Sequence, residues 1–145
     1  DADVNVAGDV VVSYQSDTGD GNGFDIQLRV LDIDELAPLP TPTLPPIITD
    51  PTDGGQVNST TVGNQVNPSI ATFSSDHLAL AGGYVVVFED QSGADGSGSG
   101  IYGQLYNANG QPVGGEFLIS DKTAGDQSLP SAAVLDNGNI LISWY

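Results

Sequence analysis

Apolar residues along this chain gather in short runs, each introduced by glycine and each reaching an aromatic residue: GDVVVSY at 8–14, GYVVVFE at 83–89 and GNILISWY at 138–145, arriving at Tyr14, Phe88 and Trp144. Short runs rich in Val and Ile, bounded by Gly, Asn and Asp, are strand signals. No 3.6-residue apolar period is sustained, so no helix longer than a turn or two is expected. IYGQLYN at 101–107 alternates, which places Ile101, Gly103 and Leu105 on one face of a strand and Tyr102, Gln104 and Tyr106 on the other. The NANGQP stretch at 107–112 carries Asn-Gly, whose residues accept positive φ and favour a tight hairpin.

The pattern repeats. VNSTTVGNQVNPSIATF at 57–73 aligns without gaps on ISDKTAGDQSLPSAAVL at 119–135, matching Thr61 to Thr123, Gly63 to Gly125, Gln65 to Gln127, Pro68 to Pro130, Ser69 to Ser131 and Ala71 to Ala133. The order of elements after both copies is the same, as an internal repeat requires. The expected fold is all-β, built of four-stranded antiparallel repeat units that resemble β-propeller blades, with a β-sandwich as the alternative. The organisation read from the chain is a partial first repeat at 1–35, a proline-rich insert or linker at 36–56, a full repeat at 57–120 and the start of a further repeat at 121–145. LAPLPTPTLPPIITDP at 36–51 holds six prolines, which cannot donate to a central ladder, and it replaces the expected turn and fourth strand of the first unit. Opening and closing on equivalent strands, the chain reads as a window of a longer repetitive protein.

Charge narrows the partners. Nineteen Asp and Glu face only Arg29 and Lys122, for a formal net charge of −17. Phosphate backbones and anionic membrane surfaces repel such a chain, so neither nucleic acid nor membrane insertion is expected. There is no Cys, which removes disulfides and thiolate metal sites, and no apolar stretch long enough to span a bilayer as a helix. Many carboxylates, few lysines and abundant Gly, Asn and Ser suit a secreted, extracellular or cell-surface bacterial protein.

Two equivalent loops carry the candidate chemistry: SDTGDGNGFD at 16–25 and DQSGADGSGSG at 90–100, aligning Asp20 with Asp95 and Asn22 with Ser97. Calcium takes six to eight oxygens, and closely spaced Asp and Asn broken by Gly let a loop fold around it. In the first loop Asp17, Asp20, Asn22 and Asp25 are expected to converge on the ion. The second offers Asp90, Asp95 and backbone oxygens, a poorer set. The competing reading is a pair of solvated hairpin turns in which Asp and Asn bond locally.

Catalytic signals are absent. The single histidine, His77, lies in the SSDHLALAG insertion at 74–82 and has no second histidine to join it in a metal site. Asp76 beside it points to the opposite face of any strand. Glu89-Asp90 and Asp34-Glu35 read as solvent charges or calcium ligands rather than as an acid and base pair. GSGSG at 96–100 falls between two strands, not at a strand-to-helix elbow. The aromatics Tyr14, Tyr84, Phe88, Tyr102, Tyr106, Phe117 and Trp144 recur at related strand positions, as core packing between sheets requires, with a carbohydrate platform as the functional alternative.

The landmarks NPSIA, GGYVVVF, DGSGSGIYGQ and PVGGEF resemble the tandem repeats of very large secreted bacterial proteins of the repeats-in-toxin and adhesin type. That resemblance covers 63–145 closely and 8–31 more loosely. It implies blade-like β-units in tandem and export from the cell. The G-G-x-G-x-D nonapeptide of calcium β-rolls is missing, so no β-roll is expected. Together these readings favour a non-enzymatic structural or adhesive module, calcium-stabilised and self-assembling through further repeats or neighbouring subunits. The alternatives are a glycan-binding propeller that recognises a cell-surface glycan, and an accessory domain of an exported hydrolase.

Overall fold

A computed structural model of the protein describes residues 1–4, 10–17, 19–31, 55–76, 80–121 and 124–145. Residues 36–54 of the expected linker, His77 and the Asp34-Glu35 pair lie outside the described residues. Among the described residues there are nine strands and no helix: β1 (Ala2–Val4), β2 (Val10–Asp17), β3 (Phe24–Leu31), β4 (Gln65–Thr72), β5 (Tyr84–Asp90), β6 (Gly100–Tyr106), β7 (Pro112–Leu118), β8 (Ser131–Val134) and β9 (Ile140–Ser143). They form three antiparallel sheets in chain order, β1-β2-β3, β4-β5-β6-β7 and β8-β9. The all-β, four-stranded antiparallel unit expected from the periodicity is what the second sheet builds. Among the described residues the stack does not close into a ring.

The first unit keeps a vestige of the fourth strand that the prolines were expected to replace. Residues 55–58 return to the free edge of β3, where Gln27 bridges Gln56 and the Val57 N–H donates to the Ile26 carbonyl at 2.8 Å. The second unit repeats this closure, with the Ile119 N–H donating to the Ile101 carbonyl at 2.7 Å.

Alternation along the central strands sends each one's side chains into two different cores. Tyr84, Val86 and Phe88 of β5 face the first sheet and pack with Val11, Ile26, Leu28 and Val57. Val85 and Val87 face the third sheet and pack with Ala132, Val134, Ile140 and Ile142. Every residue of β5 is buried, as a strand covered on both faces must be. The expected faces of IYGQLYN hold: Tyr102 and Tyr106 join the first core, where Tyr106 stacks on Tyr84 with ring centroids 5.0 Å apart, and Leu105 joins the second. Core packing of the aromatics is uneven, because Tyr14, Phe117 and Trp144 sit on faces or strands that no further sheet covers among the described residues.

Successive units are also tied through one repeated polar contact. Asn67 and Leu129, each the residue before proline in NPS and LPS, take left-handed φ of 53° and 55°. In that conformation the N–H turns toward the preceding unit. The Asn67 N–H donates to Gln15 Oε1 at 3.3 Å, and the Leu129 N–H to Glu89 Oε2 at 3.3 Å. Gln15 and Glu89 hold equivalent places on β2 and β5, in register with Ile26 and Ile101.

Candidate functional site

The two glycine-rich loops join β2 to β3 and β5 to β6, and they are built on one frame. Gly23 and Gly98 have positive φ, and a side chain at either would run into the acceptor of the segment beneath, Asn64 Oδ1 or Asp126 Oδ1. Only glycine meets both conditions. The next N–H then reaches that acceptor: Phe24 to Asn64 Oδ1 at 3.2 Å, Ser99 to Asp126 Oδ1 at 3.0 Å. Two residues on, the Ile26 N–H donates to Asn58 Oδ1 at 2.7 Å and the Ile101 N–H to Ser120 Oγ at 3.3 Å. Asn58, Asn64, Ser120 and Asp126 carry no motif of their own that marks them as part of the frame. Their signal was the alignment itself, in which the columns 58/120 and 64/126 keep a side-chain oxygen without keeping the residue.

The loop carboxylates first serve the backbone. Asp17 Oδ1 accepts the Gly19 N–H at 2.8 Å, and Asp20 accepts the Asn22 N–H at 2.9 Å and its Nδ2 at 3.0 Å. Asp95 Oδ1 accepts the Ser97 N–H at 3.0 Å, the same turn as at Asp20, which agrees with the alignment of Asp20 on Asp95. These are local turns of the kind Asp and Asn favour.

Asp25 does not complete a cage with Asp17, Asp20 and Asn22. It is buried on β3, where its Oδ1 accepts Asn58 Nδ2 at 2.8 Å and Gln56 Nε2 at 3.1 Å. Strand pairing decides this: Asp25 lies within the ladder opposite Ser16, and its side chain meets the amides of the returning 55–58 segment. Among the described residues no group of three or more His, Cys, Asp and Glu side chains converges. The four-residue convergence expected in the first loop is therefore replaced by two turns and a buried amide-bound carboxylate.

Asp90 ends β5 and is 1 % exposed. Its Oδ1 accepts the Ser92 N–H at 2.6 Å and Gln65 Nε2 at 3.4 Å. Gln65, also buried, accepts Asn58 Nδ2 on its Oε1 at 3.0 Å, so a chain of amides runs from Asp25 through Asn58 and Gln65 to Asp90. Asp90 Oδ2 and Asp95 Oδ2 are both buried and have no hydrogen-bond partner. Glu89, the neighbour of Asp90, is buried but well supplied: it accepts Gln91 Nε2 at 2.7 Å, Asn67 Nδ2 at 2.9 Å and the Leu129 N–H. It is a clamp between units rather than a solvent charge.

Tyr102 and Glu116 feel this concentration of charge. Burial, then Asp90, Asp95 and Glu116, push the Tyr102 phenol above its usual value. Burial pushes the Glu116 carboxyl up and Asp90 adds to the rise, against the Ser59 N–H that Glu116 Oε2 accepts at 2.8 Å. No family model, curated protein or solved structure matches the chain.

Proposed function

We propose that the chain is a structural and adhesive repeat module of a large secreted bacterial cell-surface or extracellular-matrix protein, working through stacking of its β-units rather than through catalysis. One observation carries this reading: faces that are covered in the middle unit are bare at equivalent positions in the outer ones. Phe88 is 0 % exposed beneath the first sheet, while its equivalent in the first unit, Tyr14, is 38 % exposed. Val85 is 0 % exposed beneath the third sheet, while its equivalent there, Leu141, is 57 % exposed. A bare apolar sheet face is a site for association, and the partner whose shape fits is another copy of the same unit. The resemblance of the repeat landmarks to secreted tandem-repeat proteins supports the same reading.

Sedimentation velocity over a concentration series tests it. The chain is expected to self-associate, and Leu141→Glu is expected to weaken that association without changing the β-sheet circular dichroism. A monodisperse monomer at every concentration sinks the reading. Capture of a sugar on a glycan array, lost in Tyr14→Ala, would replace it with the glycan-binding alternative.

A further inference from the structure

The second loop departs from the first where its carboxylates stand. Asp90 is the register partner of Gly100, and directly opposed side chains on an antiparallel pair start about 5 Å apart. The face is fixed by alternation: Asp90 follows Phe88, and Gly100 precedes Tyr102, on the side of the sheet toward the first core. A Cβ on Gly100 would lie 3.2 Å from the Asp95 carboxylate, from both Cγ and Oδ2, and 3.2 Å from the Tyr102 ring. The Asp95 carboxylate thus lies against the place a side chain at 100 would fill, and position 100 is the register partner of Asp90. A Cβ at 100 would crowd it by a few tenths of an ångström.

Both outer oxygens, Asp90 Oδ2 and Asp95 Oδ2, are buried and unpartnered. A buried carboxylate oxygen without a donor gives up the hydrogen bonds that water would supply and gains none in return. The described residues offer no side-chain cation to relieve this. Their single basic residue, Arg29, is exposed on β3 in register with Val12. Donors on the other oxygens are already committed, with Ser92 and Gln65 to Asp90 Oδ1 and Ser97 to Asp95 Oδ1. What fits two unpartnered hard anionic oxygens at the mouth of one hairpin, beside a loop rich in backbone carbonyls, is a hard cation drawn from solvent.

We propose that Asp90 and Asp95 bind a divalent cation of calcium's class, seated over the Gly100 backbone beside the Tyr102 ring. Two carboxylates make a weak site, in the range of about 0.1–1 mM that suits extracellular modules. The inference does not rest on the stacking of units. It also moves the metal away from the loop that the sequence favours, since in the first unit position 25 is an aspartate bound to amides and position 16 is a serine.

Calorimetric titration of the chain with calcium chloride, against sodium chloride at matched ionic strength, tests the site. One calcium per chain is expected, with Asp95→Asn or Asp90→Asn weakening it by about tenfold or more through the loss of a charged ligand. Asp20→Asn should leave the binding unchanged. Asp95 lies in the loop, so its variant reports even where Asp90→Asn unfolds the sheet. Terbium in place of calcium gives a second readout: emission excited through tyrosine should appear, and Tyr102→Phe should abolish most of it while calcium still binds. The proposal is overturned if calcium gives no heat beyond the sodium control, if Asp20→Asn removes binding while Asp95→Asn spares it, or if terbium emission survives Tyr102→Phe unchanged.

Discussion

Asp25 and Asp90 are both buried carboxylates at the mouth of a glycine-rich hairpin, Asp25 in the first unit and Asp90 in the second, and the protein meets their charge in different ways. Asp25 is held by two side-chain amides, Asn58 and Gln56, brought to it by the short segment that closes the first sheet. Asp90 has donors on one oxygen and none on the other, and Asp95 of the same hairpin has an unpartnered buried oxygen as well. Around them the frame is shared down to the glycine at 23 and 98 and the acceptor at 64 and 126. Exchanging a single pair of positions, Ser16 and Asp25 for Asp90 and Gly100, moves the buried acid from one strand of the hairpin to the other. A repeat can keep its backbone while changing which of its loops takes up charge from solvent.

Substitutions at paired positions sharpen that comparison, beginning with the cores beneath the loops. Phe88→Ala removes a fully buried ring that packs in the first core and lies 6.4 Å from Tyr102, centroid to centroid. Its expected cost is about 3–5 kcal/mol in chemical denaturation. Tyr14→Ala, at the same place in the first unit, should cost less than about 1 kcal/mol at concentrations low enough to keep the chain monomeric, because surface changes away from packed sites are small. Equal costs under those conditions would mean that the chain itself covers the outer face of the first sheet.

A smaller difference is expected at the closing segment. Asn58→Ala strips the Ile26 N–H of its acceptor and leaves the buried Asp25 with fewer donors, a loss of about 2–4 kcal/mol. Ser120→Ala removes one bond, to the Ile101 N–H, and should cost about 1 kcal/mol. A loss no larger than that of Ser120→Ala would show that Asn58 acts on the Ile26 N–H alone.

The fold was legible because two signals agreed: period-2 alternation in IYGQLYN and the recurrence of glycine-aromatic runs, both consequences of strands covered on one or two faces. The candidate site was legible only as a list of oxygens. Carboxylate spacing ranked the loop at 17–25 above the loop at 90–100, because spacing does not reveal that Asp25 sits inside the ladder facing amides more than thirty residues away in sequence. Nor does Glu89 beside Asp90 announce that it belongs to a clamp on Leu129. Contacts between units depend on how sheets stack, which no single stretch of sequence carries. The fourth strand of the first unit was hidden for another reason: GQVN at 55–58 is too short and polar to signal a strand, and it is recognised by its bonds to β3.

The gentlest effect expected is a titration. Burial, with Glu116 adding to it, pushes the Tyr106 phenol up to about 12. A phenol whose value is raised by folding stabilises the native state fully below its unfolded value near 10, and that contribution is lost as pH rises through the folded value. Ultraviolet absorbance of tyrosinate should show ionisation continuing well past pH 10, and Tyr106→Phe should remove the latest part of it. Stability should decline from about pH 10 upward in the parent and less steeply in the variant.

The contrast between the two loops can be seen most directly in crystals of the chain soaked in a lanthanide, through the anomalous difference map. The expected result is one peak bridging Asp90 Oδ2 and Asp95 Oδ2 over Gly100, with none among Asp17, Asp20, Asn22 and Asp25. A peak in the first loop, or an empty second loop at a soak concentration far above 1 mM, the weak end of the range of roughly 0.1–1 mM for such sites, would contradict it.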